Sequence, residues 1–353
     1  MSAREREVLE AVERRRRLRP KLKDELITLA HGAGGRASRV LVEALFLEEL
    51  GNPVLAELED AARIDGLALT TDSYVVKPLF FPGGDIGELA VNGTINDLAV
   101  SGARPLCLCA GFVIEEGFPI ADLRRIAASM GEAARAAGVP VVAGDTKVVE
   151  RGHGDGVYVT TTGIGVIDEG VELSPANVQV GDRILVSGPM GDHGVAIMIA
   201  RGALELEVEL ESDTAPLHAL VGDLLASCEG VRWLRDPTRG GLATVLNELA
   251  LATELAVVLD EGAIPVRPEV TGACEILGID PLYVANEGKL VAVVAREHAE
   301  EALEALRADR VARDAAIVGE VQPDPPGLVV LETSFGGRRI VDMLVGDPLP
   351  RIC

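Results

Sequence analysis

The chain has 353 residues, 48% hydrophobic and 25% charged, the balance of a soluble globular protein that can build a full core without a disulfide framework. Its 56 Asp and Glu against 33 Lys and Arg leave −23 at neutral pH, which makes it a poor partner for nucleic acid or anionic lipid. No apolar run approaches the ~20 residues of a membrane span, the N-terminus is charged, and five cysteines lack regular spacing. These features read as a cytoplasmic protein of about two domains.

Residues 1–25 read as a charged extension, with Arg14 to Arg17 set among glutamates in a solvated, frayed helix. From Leu26 short β-like runs alternate with amphipathic helices. Strands are predicted at 26–30, 67–71, 139–143 and 157–166, and helices at 36–50 and 120–137, where Ile120, Leu123, Ala127, Met130 and Ala134 recur at helical spacing. These make a first domain, 26–168. A second, 169–322, has strands at 182–187, 255–260, 290–295 and 315–321, with helices at 194–201, 216–228, 240–253 and 298–308. A break at 322–327 opens a C-terminal segment, 323–353, with a last strand pair at 328–331 and 339–344. Pro348 and Pro350 then forbid helix, leaving an extended, flexible tail.

The run GAGGRA at 32–37 fits a loose dinucleotide fingerprint, but the next predicted strand ends only at Asp72, too far for the ribose-binding acid. The loop could instead hold phosphate or another anion through its N–H groups. No GxxxxGK[ST] occurs. Asp60, Asp72, Asp97, Asp145 and Asp236 each stand beside small residues at element ends. One alone reads as a turn or helix cap; converging, they would suit Mg²⁺ carrying a nucleotide triphosphate. The stretches GDHG (191–194) and NEGK (286–289) read as turns or as functional clusters. Cys107 and Cys109 share a face of an apolar stretch, and Cys228 and Cys274 read as packing. Cys353 is the last residue, so it is not a prenylation box; a thiol on a proline-bearing arm is suited to carrying a covalent group between sites.

In order along the chain stand LAHGAGG (29–35), TTDSYVVKPLFFPGGDIG (70–87), NGTINDLAVSGARP (92–105), AGDTKVVERG (143–152), VSGPMGDHG (186–194), RDPTRGG (235–241), ANEGK (285–289) and a terminal PRIC (350–353). Together they resemble the carbamoyl dehydratases of nickel–iron hydrogenase maturation, the HypE family. That family is similar to aminoimidazole ribonucleotide synthetase and selenophosphate synthetase. The resemblance covers 29–353 and implies an α/β plus α+β architecture, a two-domain aminoimidazole ribonucleotide synthetase-like fold with an extended C-terminal tail. It implies a homodimer whose N-terminal sheets form a barrel, with ATP and Mg²⁺ in a groove of the assembly. Asp60, Asp72, Asp97, Asp145 and Asp236 match metal positions, and Asn96, Gly144, Thr146 and Arg239 cofactor-binding ones. The implied reaction dehydrates a carbamoyl group on Cys353 to a thiocyanate. Glu287 would serve as base and Lys147 as stabiliser of the departing oxygen, or the reverse. Implied partners are the carbamoyltransferase HypF and the iron-carrying HypC–HypD complex. A related small-molecule kinase or synthetase, or a docking scaffold, are the alternatives.

Overall fold

The computed structural model describes residues 22–202, 209–346, 349 and 351–353. Most of the predicted N-terminal extension, and the prolines 348 and 350, lie outside them. Five strands form the first sheet in the order β1-β2-β7-β5-β6: β1 (Ala62–Ile64), β2 (Leu67–Tyr74), β5 (Ala103–Glu115), β6 (Val141–Val149) and β7 (Val157–Ile167). A small ribbon, β3 (Phe80–Phe81) and β4 (Gly84–Asp85), precedes the central helix. In the first sheet, among the described residues, only β5 and β6 run parallel.

The helix α1 (Arg36–Leu41) continues through a π turn, Val42–Phe46, into Leu47–Leu50. One face of the first sheet is covered by α2 (Ile86–Val100), onto which α3 (Ile120–Ala137) packs. The N-cap Asp85 accepts from the amides of Gly87 and Glu88, and every residue of α2 except Glu88 and Asp97 is buried. The β6 edge stays open, with Val142 and Val148 61% and 67% exposed.

The second sheet runs β14-β13-β10-β12-β8-β11-β9. Its strands are β8 (Arg183–Val186), β9 (Val231–Arg235), β10 (Ala256–Asp260), β11 (Val291–Val294), β12 (Ala316–Gln322), β13 (Val329–Glu332) and β14 (Arg338–Val341). Alternate residues point to opposite faces. Ile184, Val291 and Val293 pack beneath α6 (Gly241–Thr253), while Leu185, Ala292 and Val294 pack beneath α5 (His218–Ser227) and α8 (Ala299–Ala308). Helices α4 (Asp192–Ala200) and α7 (Pro268–Leu277) join the core of the first half, where Leu349 and Ile352 of the tail are also buried.

Four predicted elements need correction. No strand forms at 26–30, because nothing pairs with it; His31 Nδ1 accepts from the Thr28 amide and closes a tight turn, Leu29–Gly32. The strand predicted at 139–143 begins later and runs through Val149, since its pairing with β5 continues to Glu115. Gly144–Lys147 is therefore strand, not loop. The second sheet does not stop at 322: β13 pairs parallel to β10. The chain end is docked rather than free. Among the described residues no helix is long and apolar enough to cross a membrane.

Candidate active site

Four aspartates reach one region from four elements. Asp60 precedes β1, Asp72 lies on β2, Asp97 on α2, and Asp236 follows β9 before Pro237. Oxygens of Asp60, Asp97 and Asp236 lie within 4.8 Å of one another. The cost of that convergence is visible in their proton affinities. Burial pushes the Asp97 carboxyl well above its ordinary value, with Asp236, Asp72 and Asp60 adding repulsion; Thr70 Oγ, donating at 2.7 Å, opposes it. Burial likewise raises Asp236 to about 6 and Asp60 well up, against the Arg235 guanidinium. Arg235 Nε lies 2.8 Å from Asp60 Oδ1, yet it also serves Glu59 and Glu248, so one cation faces several carboxylates. Hard oxygen donors left short of positive charge fit a divalent cation such as Mg²⁺.

The tail brings Cys353 to this region. Val75 and Lys77 amides donate to the carbonyls of Cys353 and Arg351, and Arg351 Nε donates to Val75 O, so the tail lies along the exit of β2 like an added strand. Arg351 also pairs with Asp155, and Arg201 donates to the Arg351 carbonyl at 2.8 Å. His193 lies 2.7 Å from the Ile352 carbonyl. The terminal residue keeps some surface, but its thiol is enclosed: burial pushes the thiol far up, Arg239 opposes that, and Glu287, Asp72 and a hydrogen bond to Glu287 add to it. Beside it is a cavity of about 150 Å³ bordered by Ala33, Arg239, Tyr283, Leu344 and Cys353. A second cavity of about 390 Å³, bordered by Gly34, Ser38, Trp233, Arg235 and Glu248, is in the size range of ligand sites.

Glu287 is buried in the ANEGK turn, which is held from several sides. Asn96 Nδ2 donates to the Glu287 carbonyl at 2.9 Å, Glu287 N donates to Asp213 Oδ1 at 3.0 Å, and Asn286 is bound to Pro237 O and the Gly191 amide. Burial raises the Glu287 carboxyl well up, with Asp236, Asp72 and Asp213 adding and Arg239 opposing. A group so placed takes a proton readily.

Of the predicted site residues, Asp60, Asp72, Asp97, Asp236, Arg239, Glu287 and Cys353 are thus brought to one place. Asn96 is there too: its amide nitrogen donates to Glu287 O and Ala215 O and its Oδ1 accepts from the Leu217 amide, so it straps the Glu287 turn. Gly144, Asp145, Thr146 and Lys147 are not brought there within the chain. Gly144 is in register with Ala110, Thr161 and then Asp72, three strand spacings away, about 14 Å at ~4.8 Å each. Asp145 and Lys147 are exposed and pair with each other at 2.5 Å, which lowers the Asp145 carboxyl. The glycine loop serves packing: Gly34 N donates to Ser38 Oγ, Arg36 N to Leu344 O, and a Cβ on Gly34 would stand 2.6 Å from that of Arg239. Sequence reasoning missed Arg235, Ser212 and Arg201. Arg235 follows from its place beside Asp236; the other two meet the site only through the fold.

The comparisons agree with this geometry. Residues 58–167 match the family model for the N-terminal domain of AIR synthase related proteins, and 179–331 the model for the C-terminal domain. The carbamoyl dehydratase HypE of Cupriavidus necator is 54% identical over 337 residues, 94% of this chain and 96% of that protein. Among solved structures, a HypE–HypF complex aligns with a TM-score of 0.83 at 49% identity, over 86% of this chain and 99% of that one. HypE in complex with ATP aligns at 0.79 and 48%, over 93% and 100%. An AIR synthase-like fold, a half-buried cysteine at residue 353 beside clustered carboxylates and this level of identity lead to one conclusion: the chain belongs to the carbamoyl dehydratase HypE family.

Proposed function

We propose that the enzyme uses ATP to dehydrate a carbamoyl group carried on its own Cys353 to a thiocyanate, a cyanide source for nickel–iron hydrogenase assembly. The observation that carries this reading is the enclosed Cys353 thiol, set between Glu287 and Arg239 next to the carboxylates. Bound Mg²⁺–ATP supplies a phosphoryl group to the carbamoyl oxygen, so that phosphate leaves in place of hydroxide. Asp60, Asp72, Asp97 and Asp236 would hold the cation. Both N–H protons must leave: Glu287, whose raised proton affinity suits it, would take the first as the oxygen is phosphorylated, and the departing phosphate would carry away the second. Arg239, facing the thiol, stabilises negative charge there.

A docked thiol pushed up by burial is a weak nucleophile, so carbamoyl loading belongs to an undocked tail and dehydration to the docked one. HypF is the proposed donor of the carbamoyl group and the HypC–HypD complex the acceptor of cyanide, with all of this in the cytoplasm. A homodimer is part of the proposal. The open β6 edge, with exposed Val141, Val142 and Val148, is a surface that another strand or sheet would cover. In that pair a second copy would supply Asp145 and Lys147, with Gly144 and Thr146, which one chain holds away from its own carboxylates. The test is ATP consumption by the carbamoyl-loaded native chain. One phosphate released per loaded tail is expected, and none from unloaded protein or from Cys353→Ala. Equal ATP use by the Cys353→Ala chain refutes the reading in favour of an ordinary small-molecule kinase.

A further inference from the structure

The reaction proposed above gives no task to His193, the buried member of the GDHG stretch. Its ring is 0% exposed and engaged at both nitrogens. Nε2 lies 2.7 Å from the carbonyl oxygen of Ile352, and Nδ1 lies 2.7 Å from Ser212 Oγ. A carbonyl only accepts, so Nε2 carries the proton, and Nδ1 accepts from the Ser212 hydroxyl. The Ser212 oxygen in turn accepts from the Thr214 amide at 3.2 Å, and Phe81 stands edge-on to the ring at 5.7 Å. Burial lowers the proton affinity of His193, so the ring has one N–H to give. Two acceptors are near it. One is Ile352 O; the other is Glu287 Oε1 at 3.9 Å, a buried atom with no hydrogen-bond partner among the described residues. A histidine with a purely structural role would bond a permanent neighbour. This one bonds a segment that has to leave.

We propose that His193, oriented by Ser212, is the positioning residue that receives the tail's penultimate carbonyl, and that the tail and Glu287 compete for its single N–H. Docking occupies the donor and leaves Glu287 Oε1 free to accept a proton just when the loaded cysteine is beside it. Undocking lets His193 turn to Glu287, which satisfies both buried groups and silences the base. The same contact therefore registers the substrate arm and readies the base, and each state has a partner for the imidazole N–H.

This deepens the tail reading and rests on it only in that the arm must leave its groove, so the test needs no turnover. Carboxypeptidase release of Cys353 from the full-length chain, followed by intact mass, reads the undocked fraction independently of thiol reactivity. His193→Ala should release the terminal residue about fivefold faster, the value of one hydrogen bond, and His193→Gln within about twofold of native, since its amide restores the donor. Should His193→Ala fold poorly by circular dichroism, Ser212→Ala, which frees the ring's tautomer, should also speed release. Native-like release from folded His193→Ala, or from Ser212→Ala in its place, overturns the receptor role. Competition is read as a coupling. Glu287→Gln, a weaker acceptor, should slow release in the native background and lose that effect in His193→Ala, which has no N–H for the two acceptors to share. Equal effects in both backgrounds overturn the competition. A chain that shows these release rates yet never accepts a carbamoyl group would remove the dehydratase reading and leave this inference standing.

Discussion

Asp236→Asn should stabilise the metal-free protein. The native carboxyl is raised from 3.8 to about 6, chiefly by burial. At pH 7.5 it is ionised in both states, and the folded state bears the cost of two pH units, about 3 kcal/mol at 1.36 kcal/mol each. The sign follows from the raised value. The folded state binds the proton more tightly than the unfolded one, so the penalty is full above about pH 6 and relaxes as pH falls towards 4. Asparagine keeps the shape and drops the charge, so in EDTA at pH 7.5 the variant should gain up to about 3 kcal/mol in urea unfolding, and the gap should fall to about half by pH 5 and close near pH 4. Millimolar Mg²⁺ should stabilise the native chain and leave the variant nearly unmoved, reversing the order. The surface carboxyls whose affinities are lowered, Glu115, Asp145 and Asp155, titrate below this window and do not confuse it. A variant less stable than native in EDTA at pH 7.5, or a gap between variant and native that does not shrink as pH falls, would show that the carboxylates are not a charge-strained cation site.

Cys353→Ser should keep native stability and lose carbamoyl loading, because a hydroxyl is a far poorer nucleophile at neutral pH; a loaded serine in a mass spectrum would refute this. Arg235→Met should cost about 3–5 kcal/mol in urea unfolding, since it leaves Asp60, Glu59 and Glu248 without their shared cation, and a loss below about 1 kcal/mol would mean the ion pairs are ornamental. Val142→Asp together with Val148→Asp should turn a dimer into a monomer by light scattering without unfolding it, with loss of ATP turnover; a native chain that is already monomeric and active contradicts the pairing through β6.

What the sequence revealed, and what it hid, follows from how each element is covered. The bounds of α3 are those its periodicity predicts, Ile120–Ala137, with Met130 and Ala134 inward as the pattern has them, although the buried face is completed by Ile126 while Ile120 and Ala127 stay in water. The neighbouring α2 has no such contrast: it is buried all round, so 86–100 carries no helical period and goes unpredicted although it bears Asp97. In the same way β9 is too short to announce itself, yet it delivers Asp236. The aspartates are legible as motif residues. Their meeting is not, since it depends on β2, α2 and β9 closing on one another. Contacts such as His193 with Ile352, 159 residues apart, exist only in the folded chain. The placement of 144–147 had a different obstacle: GDTK looks like a loop because of its glycine and aspartate, while pairing with β5 holds it extended.

The central claim is that Cys353 carries the carbamoyl group through dehydration. Intact mass of the full-length chain tests it most directly, taken before and after incubation with HypF and a carbamoyl donor, and again after Mg²⁺–ATP. The account predicts a gain of one carbamoyl group on the terminal residue, then a loss of one water that requires ATP and Glu287. A carbamoyl adduct elsewhere on the chain, or one on Cys353 that ATP leaves unchanged, would contradict it.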